Sequence, residues 1–124
     1  MSNWKNPKFW DALKNSFNGI KNVYKNERNI RIQTVFAILA IIVSFLLRIS
    51  LLEFGIIILV IFIVLIAEFF NTAIENVVDM ITMEYDEKAR TAKDVAAAAV
   101  TLSSILSVIL GAIVFLPKII NILK

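Results

Sequence analysis

The sequence contains no cysteine and no histidine. Without cysteine there is no disulfide and no thiolate metal site. Without histidine the usual zinc ligand and the usual near-neutral proton acceptor are both missing. Any bound metal must therefore be held by oxygen, which selects hard cations such as magnesium, manganese or calcium. Also absent are a Gly-x-x-x-x-Gly-Lys-Ser/Thr phosphate loop, the protein-kinase signature set and a Gly-x-Ser-x-Gly nucleophile turn. The first 31 residues are lysine-rich and lack the continuous apolar core of a secretory leader, so none is expected there.

What the chain has in excess is apolar side chains. They make up 59% of 124 residues, against about 45–50% in soluble domains, and the mean hydropathy is +0.79. The length predicts one domain, 1–124, of the all-α integral membrane class. Over residues 8–25, Phe9, Leu13, Phe17, Ile20 and Tyr24 recur at steps of three and four, while Lys8, Lys14, Lys21 and Lys25 fall largely on the other side. The pattern predicts an amphipathic helix lying in the membrane interface. Three spans follow, at 32–50, 54–81 and 94–116. A tight turn over 48–53 joins the first two, and Pro117 is expected to end the third. The middle segment is charge-free from Phe54 to Ala67 and then turns polar without any helix breaker, so it is continued as a helix to Ile81.

Ten of the thirteen lysines and arginines lie before the first span or in the loop after the second; Arg48, Lys118 and Lys124 are the other three. By the positive-inside rule the N-terminus and the loop in the 80s are cytoplasmic and the C-terminus faces out. The protein is thus expected in the cell membrane. No nucleic-acid partner is expected.

The chemistry-bearing residues fall at the cytoplasmic end of the second span. At about 100° per residue, Glu68, Asn71, Glu75 and Asp79 form one stripe roughly 80° wide, with Glu68 deepest. Ionisable groups at membrane depth are expensive and default to function. A polar seam that merely fixes packing would explain one acid more readily than three acids and an amide. Glu27, before the first span, and Lys93, opening the third, reach the same interface. In the third span Ala99, Ser103, Ser107 and Gly111 repeat every four residues, a packing face within or between subunits.

AEFFNTAIENVVDMIT at 67–82 and AKDVAAAAV at 92–100, with Glu27 lying 41 residues before Glu68, resemble the prokaryotic diacylglycerol kinase / undecaprenol kinase family. The resemblance extends from about residue 8 to 115. NERNIRIQ at 26–33 looks like its Gram-positive branch, whose members mostly phosphorylate undecaprenol. The resemblance implies a homotrimer of three-span subunits, each with a surface helix, and active sites shared between neighbours. It implies ATP as co-substrate, Mg²⁺ as cofactor and a lipid alcohol as substrate. Glu68 then matches the catalytic base, and Glu27 and Glu75 match the metal ligands. The nucleotide site would take Glu27, Asn71, Glu75, Asp79, Glu84, Tyr85, Asp86, Lys93 and Asp94, and Glu68 and Arg31 would face the lipid. The chain departs from the Gram-negative form at Asp86, where that form has histidine, and at Asn15, near which an aromatic residue aligns.

The chemistry fits the residues. Phosphoryl transfer needs positioning and charge neutralisation more than covalent catalysis. The activity that the resemblance implies is phosphorylation of undecaprenol, with diacylglycerol as the alternative acceptor. Two other classes fit the residues less well. A small proton-coupled transporter would place its acids at the midplane, between repeats that three spans do not show. A structural assembly protein would not need so many interfacial acids.

Overall fold

The computed structural model describes residues 5, 6 and 8–124; residues 1–4 and 7, the start of the lysine-rich stretch, lie outside the described residues. The described residues form four helices: α1 (Phe9–Asn26), α2 (Arg28–Leu46), α3 (Leu51–Ile81) and α4 (Glu87–Leu123). The last three are each long and apolar enough to cross a membrane. They run up, down and up, so the start of α2, the end of α3 and the start of α4 share one end of the molecule. α3 is the central element, packing along α4 and, less extensively, on α2.

Few side chains are buried inside the subunit. Ile30, Ile57, Val60, Val78, Ala96 and Val114 form a thin core. Large apolar side chains such as Phe36, Phe70 and Val108 stand two-thirds or more exposed on the outer surface. In water such a surface would be untenable. Covered by lipid or by other subunits it is the expected exterior, because each helix satisfies its own backbone groups.

One extended residue, Glu27, separates α1 from α2. Its N–H closes α1 on the Val23 carbonyl at 2.8 Å. Arg31 ties the corner down by donating from one guanidinium nitrogen to the carbonyls of Tyr24 (2.8 Å) and Lys25 (3.0 Å) at the end of α1. Such carbonyls lack intrahelical partners. Tyr24 and Thr34 hydroxyls hydrogen-bond at 2.8 Å across the same corner.

At the opposite end α2 stops at Leu46, four residues before the expected end of the first span. Arg48 adopts φ 51°, and the N–H groups of Arg48 and Ile49 turn back to the carbonyls of Phe45 and Ser44. This left-handed cap satisfies the last carbonyls and ends the helix. The next helix starts at once. Ser50 caps α3 by accepting from the Glu53 N–H (3.1 Å), while Glu53 accepts from the Ser50 N–H (2.9 Å). That reciprocal pair starts α3 at Leu51, three residues before the expected start of the second span.

α4 corrects the expectation that Pro117 ends the last helix: it runs through Pro117 to Leu123. Proline removes one N–H and strains the turn before it, but apolar surroundings tolerate this better than water does. The turn beyond Pro117 is also anchored, with Lys118 Nζ 3.5 Å from Glu53 of α3. At its other end α4 begins at Glu87 rather than near Asp94, because Asp86 caps it by accepting from the Ala89 N–H at 2.9 Å.

The reciprocal cap at Ser50 gives a direct test of this hairpin. Ser50→Ala is expected to cost about 1 kcal/mol of stability, read from an unfolding titration in mixed micelles. An unchanged midpoint would mean that the cap does not anchor α3.

Candidate active site

At 1.5 Å per residue, Glu68 lies roughly 26 Å along α3 from Leu51, and Asp79 roughly 42 Å. A hydrocarbon core is about 30 Å thick. A span that enters the apolar layer at Leu51 would bring Glu68 near the opposite edge of that layer and carry Asp79 well beyond it. Burial follows the same gradient. Glu68 is 4% exposed, whereas Asn71, Glu75 and Asp79 are half-buried.

Each polar member of the α3 stripe has its own partner. Gln33 of α2 donates from Nε2 to Glu68 Oε1 at 2.9 Å. Asn71 Nδ2 donates to Glu75 Oε1 at 3.0 Å, one turn along the same helix. Lys93 of α4 donates to Asp79 Oδ1 at 2.7 Å. Glu27 precedes Gln33 by six residues and Glu75 follows Glu68 by seven on the antiparallel α3, so both carboxylates lie beyond Glu68 at the same end. The Glu27 corner, the α3 stripe and the start of α4 therefore converge on one end of the molecule, as the sequence spacing predicts.

Around Lys93, five of the residues expected at a nucleotide border a shallow pocket of about 200 Å³, which Glu27, Asn71, Glu75 and Asp94 do not line. It is lined by Asp79, Glu84, Tyr85, Asp86, Arg90 and Lys93, among others. Tyr85 is 81% exposed, so its ring is free to meet a ligand. A turn holds this segment in shape: Thr82 Oγ1 accepts from the Glu84 N–H at 3.1 Å. Asp94 pairs with Arg90 at 3.3 Å rather than with Lys93. Arg31, expected beside a lipid, spends its guanidinium on the end of α1.

Two residues escaped the sequence reading. Gln33 is the hydrogen-bond partner of the deepest acid, and its own carbonyl oxygen is buried without a partner. Its signal was faint, a lone amide at the mouth of an apolar span. In the sequence Arg90 reads only as loop charge.

Among the described residues no three acidic side chains are close enough to form a metal cage. The donors available are carboxylate and amide oxygens, and Asn71 Oδ1 is buried with no partner. Such a set suits a hard cation that takes one or two protein carboxylates and completes its shell with phosphate oxygens, as Mg²⁺ does.

Known proteins resemble this chain over most of its length. The family described as "Prokaryotic diacylglycerol kinase" matches residues 14–115. An undecaprenol kinase of Bacillus subtilis is 37% identical over 111 residues, 90% of each chain. A diacylglycerol kinase of Synechocystis is 32% identical over 118 residues, covering 94% of this chain and 67% of the relative. A diacylglycerol kinase of Escherichia coli is 35% identical over 94 residues, 76% of this chain and 77% of the relative.

The pairing of Lys93 with Asp79 is half exposed, with side-chain exposures of 38% and 43%. Pairs of this kind contribute at most about 1 kcal/mol. A double-mutant cycle of Lys93→Met and Asp79→Asn should give a stability coupling below that figure. A coupling of several kcal/mol would make the pair a structural clamp instead of a ligand-binding element.

Proposed function

The chain belongs to the prokaryotic diacylglycerol kinase family and is a lipid kinase, and from that premise we propose that it transfers the γ-phosphate of Mg·ATP to the hydroxyl of undecaprenol. The 37% identity with an undecaprenol kinase over nine-tenths of both chains supports that acceptor. Diacylglycerol is the second reading, favoured by the relatives that carry its name.

The observation that carries the mechanism is the depth of Glu68. A lipid hydroxyl cannot rise far into water, since each exposed CH₂ costs about 0.8 kcal/mol. The proton acceptor must then stand at the apolar edge of the site, and Glu68 is the acid placed there. The lipid O–H bond breaks, and its proton passes to the Glu68 carboxylate. The lipid oxygen forms a bond to the γ-phosphorus as the bond from that phosphorus to the bridging oxygen breaks, and ADP leaves. Glu27 and Glu75 would hold Mg²⁺, which when bound neutralises charge across the phosphates. Asn71 orients the Glu75 carboxylate. Lys93 offsets negative charge on the transferred group, and Glu84, Tyr85, Asp86 and Asp94 frame the nucleotide.

The proposal extends to the assembly. α1, with Phe9, Trp10 and Phe17 exposed, lies as an amphipathic helix in the cytoplasmic interface. The loop at 82–86 faces the cytosol, where ATP is available, and the C-terminus faces out. Three copies form the functional unit, with sites shared between neighbours. The open surface along Ser104, Ser107 and Gly111 is free for such contacts, and a Cβ on Gly111 would meet nothing within 4 Å inside the subunit.

Opposite defects at two acids test the assignment. Glu68→Gln should lower kcat at least about 100-fold, in line with loss of a general base, while Mg·ATP affinity holds. Glu75→Gln should weaken Mg·ATP use. Near wild-type turnover by Glu68→Gln, or its loss of nucleotide binding with normal kcat at saturation, would remove Glu68 from the role of base. An unaltered Mg²⁺ response in Glu75→Gln would remove Glu75 from the metal site.

A further inference from the structure

The amide of Gln33, a residue of intermediate exposure, is only half used. Its Nε2 donates to Glu68 Oε1 at 2.9 Å, yet within the subunit its Oε1 is buried with no partner. A buried acceptor left empty is costly, so an idle one beside a functional acid calls for an explanation. Packing does not supply one. Gln33 also lines an apolar groove of about 320 Å³ with Phe36, Ala37, Val64 and Leu65, where a methionine of similar length would satisfy every contact except the hydrogen bonds.

We propose that Gln33 is a positioning residue that serves Glu68 in both of its protonation states. The inference rests on the reading of Glu68 as the base. As a carboxylate, Glu68 needs a donor, and the Gln33 N–H provides it. That contact occupies Oε1 and leaves Oε2 to face the incoming hydroxyl. After the lipid proton has passed to Glu68, the group is a carboxylic acid at the apolar edge of the site. Once the phosphorylated lipid departs, its O–H needs an acceptor. A primary amide carries a donor and an acceptor of nearly the same shape. The proton then sits on Glu68 Oε2, so a tilt of the Gln33 amide that keeps its N–H on Glu68 Oε1 brings its own Oε1 to the Oε2 hydroxyl, the edge-to-edge pairing of an amide with a carboxylic acid. The oxygen that is idle beside the carboxylate is the one used in the second half of the cycle. No charge enters or leaves Gln33, so it does not compete with Glu68 for the proton.

The test compares Gln33→Met, which keeps length without hydrogen bonding, with Gln33→His, which restores one donor and one acceptor. Both full-length variants are assayed in lipid bilayers beside wild type and Glu68→Gln, with rates normalised to folded protein from a thermal transition. The hydrogen bond lost is to a charged group. Gln33→Met should therefore lower kcat for lipid phosphorylation by about 10- to 100-fold, with the KM for Mg·ATP unchanged. Gln33→His should recover most of that loss. The inference is overturned if Gln33→Met keeps kcat within about twofold of wild type, if its defect lies in KM for Mg·ATP alone, or if Met and His are equally impaired per folded molecule. If Glu68→Gln keeps its rate, the base assignment falls. If Glu68→Gln is slow while Gln33→Met is fast, only the role of Gln33 falls.

Discussion

A carboxylate 4% exposed on a helix with fourteen uncharged residues before it is the constraint around which the rest of this molecule is arranged. Glu68 cannot be left unpartnered at that depth. α2 must therefore bring a polar group to it, and Gln33 is that group. The remaining acids are spaced so that each successive one stands closer to water, where charge costs less and a nucleotide has access. In the proposed mechanism, depth along one helix separates the lipid end of the site from the phosphate end.

The placement of Glu68 depends on features at the far end of the molecule. The left-handed cap at Arg48 and the reciprocal Ser50–Glu53 cap start α3 at a defined residue. The Lys118–Glu53 contact fixes α4 against that start. From there α3 is continuous, so the level and azimuth of Glu68 follow from helix geometry alone. A slip of one residue would rotate the stripe by about 100° and move it about 1.5 Å, which would carry Glu68 away from Gln33. Close packing of α3 against α4, through small buried residues such as Ala96, keeps Lys93 within reach of Asp79.

Much of this was legible in the sequence because it is carried by periodicity. The apolar run fixes a span, the three- and four-residue spacing puts Glu68, Asn71, Glu75 and Asp79 on one face, and the lack of a breaker carries α3 to Ile81, where the structure ends it. Helix ends were less legible where capping competes with composition. Asp86 looked like a loop or ligand residue, yet it starts α4 a full turn and more before the apolar pattern begins. Pro117 looked like a terminator, but neighbouring helices and an ion pair let α4 continue. Gln33 was missed for a different reason. Its importance comes from a residue 35 positions away, and a one-dimensional pattern within α2 carries no trace of that contact. The family resemblance, carried by the Glu-x-x-Asn-x-x-x-Glu-x-x-x-Asp run and the Ala-Lys-Asp run, is upheld by the comparisons.

The most direct measurement of the central claim is transfer of label from γ-labelled ATP, with Mg²⁺, by the purified full-length protein in bilayers containing undecaprenol or diacylglycerol. Labelled undecaprenyl phosphate should form, and faster than labelled phosphatidic acid at equal lipid content. Faster labelling of diacylglycerol would reverse the substrate assignment. If protein that is folded and retains nucleotide labels neither lipid, phosphoryl transfer to a lipid alcohol at Glu68 is contradicted.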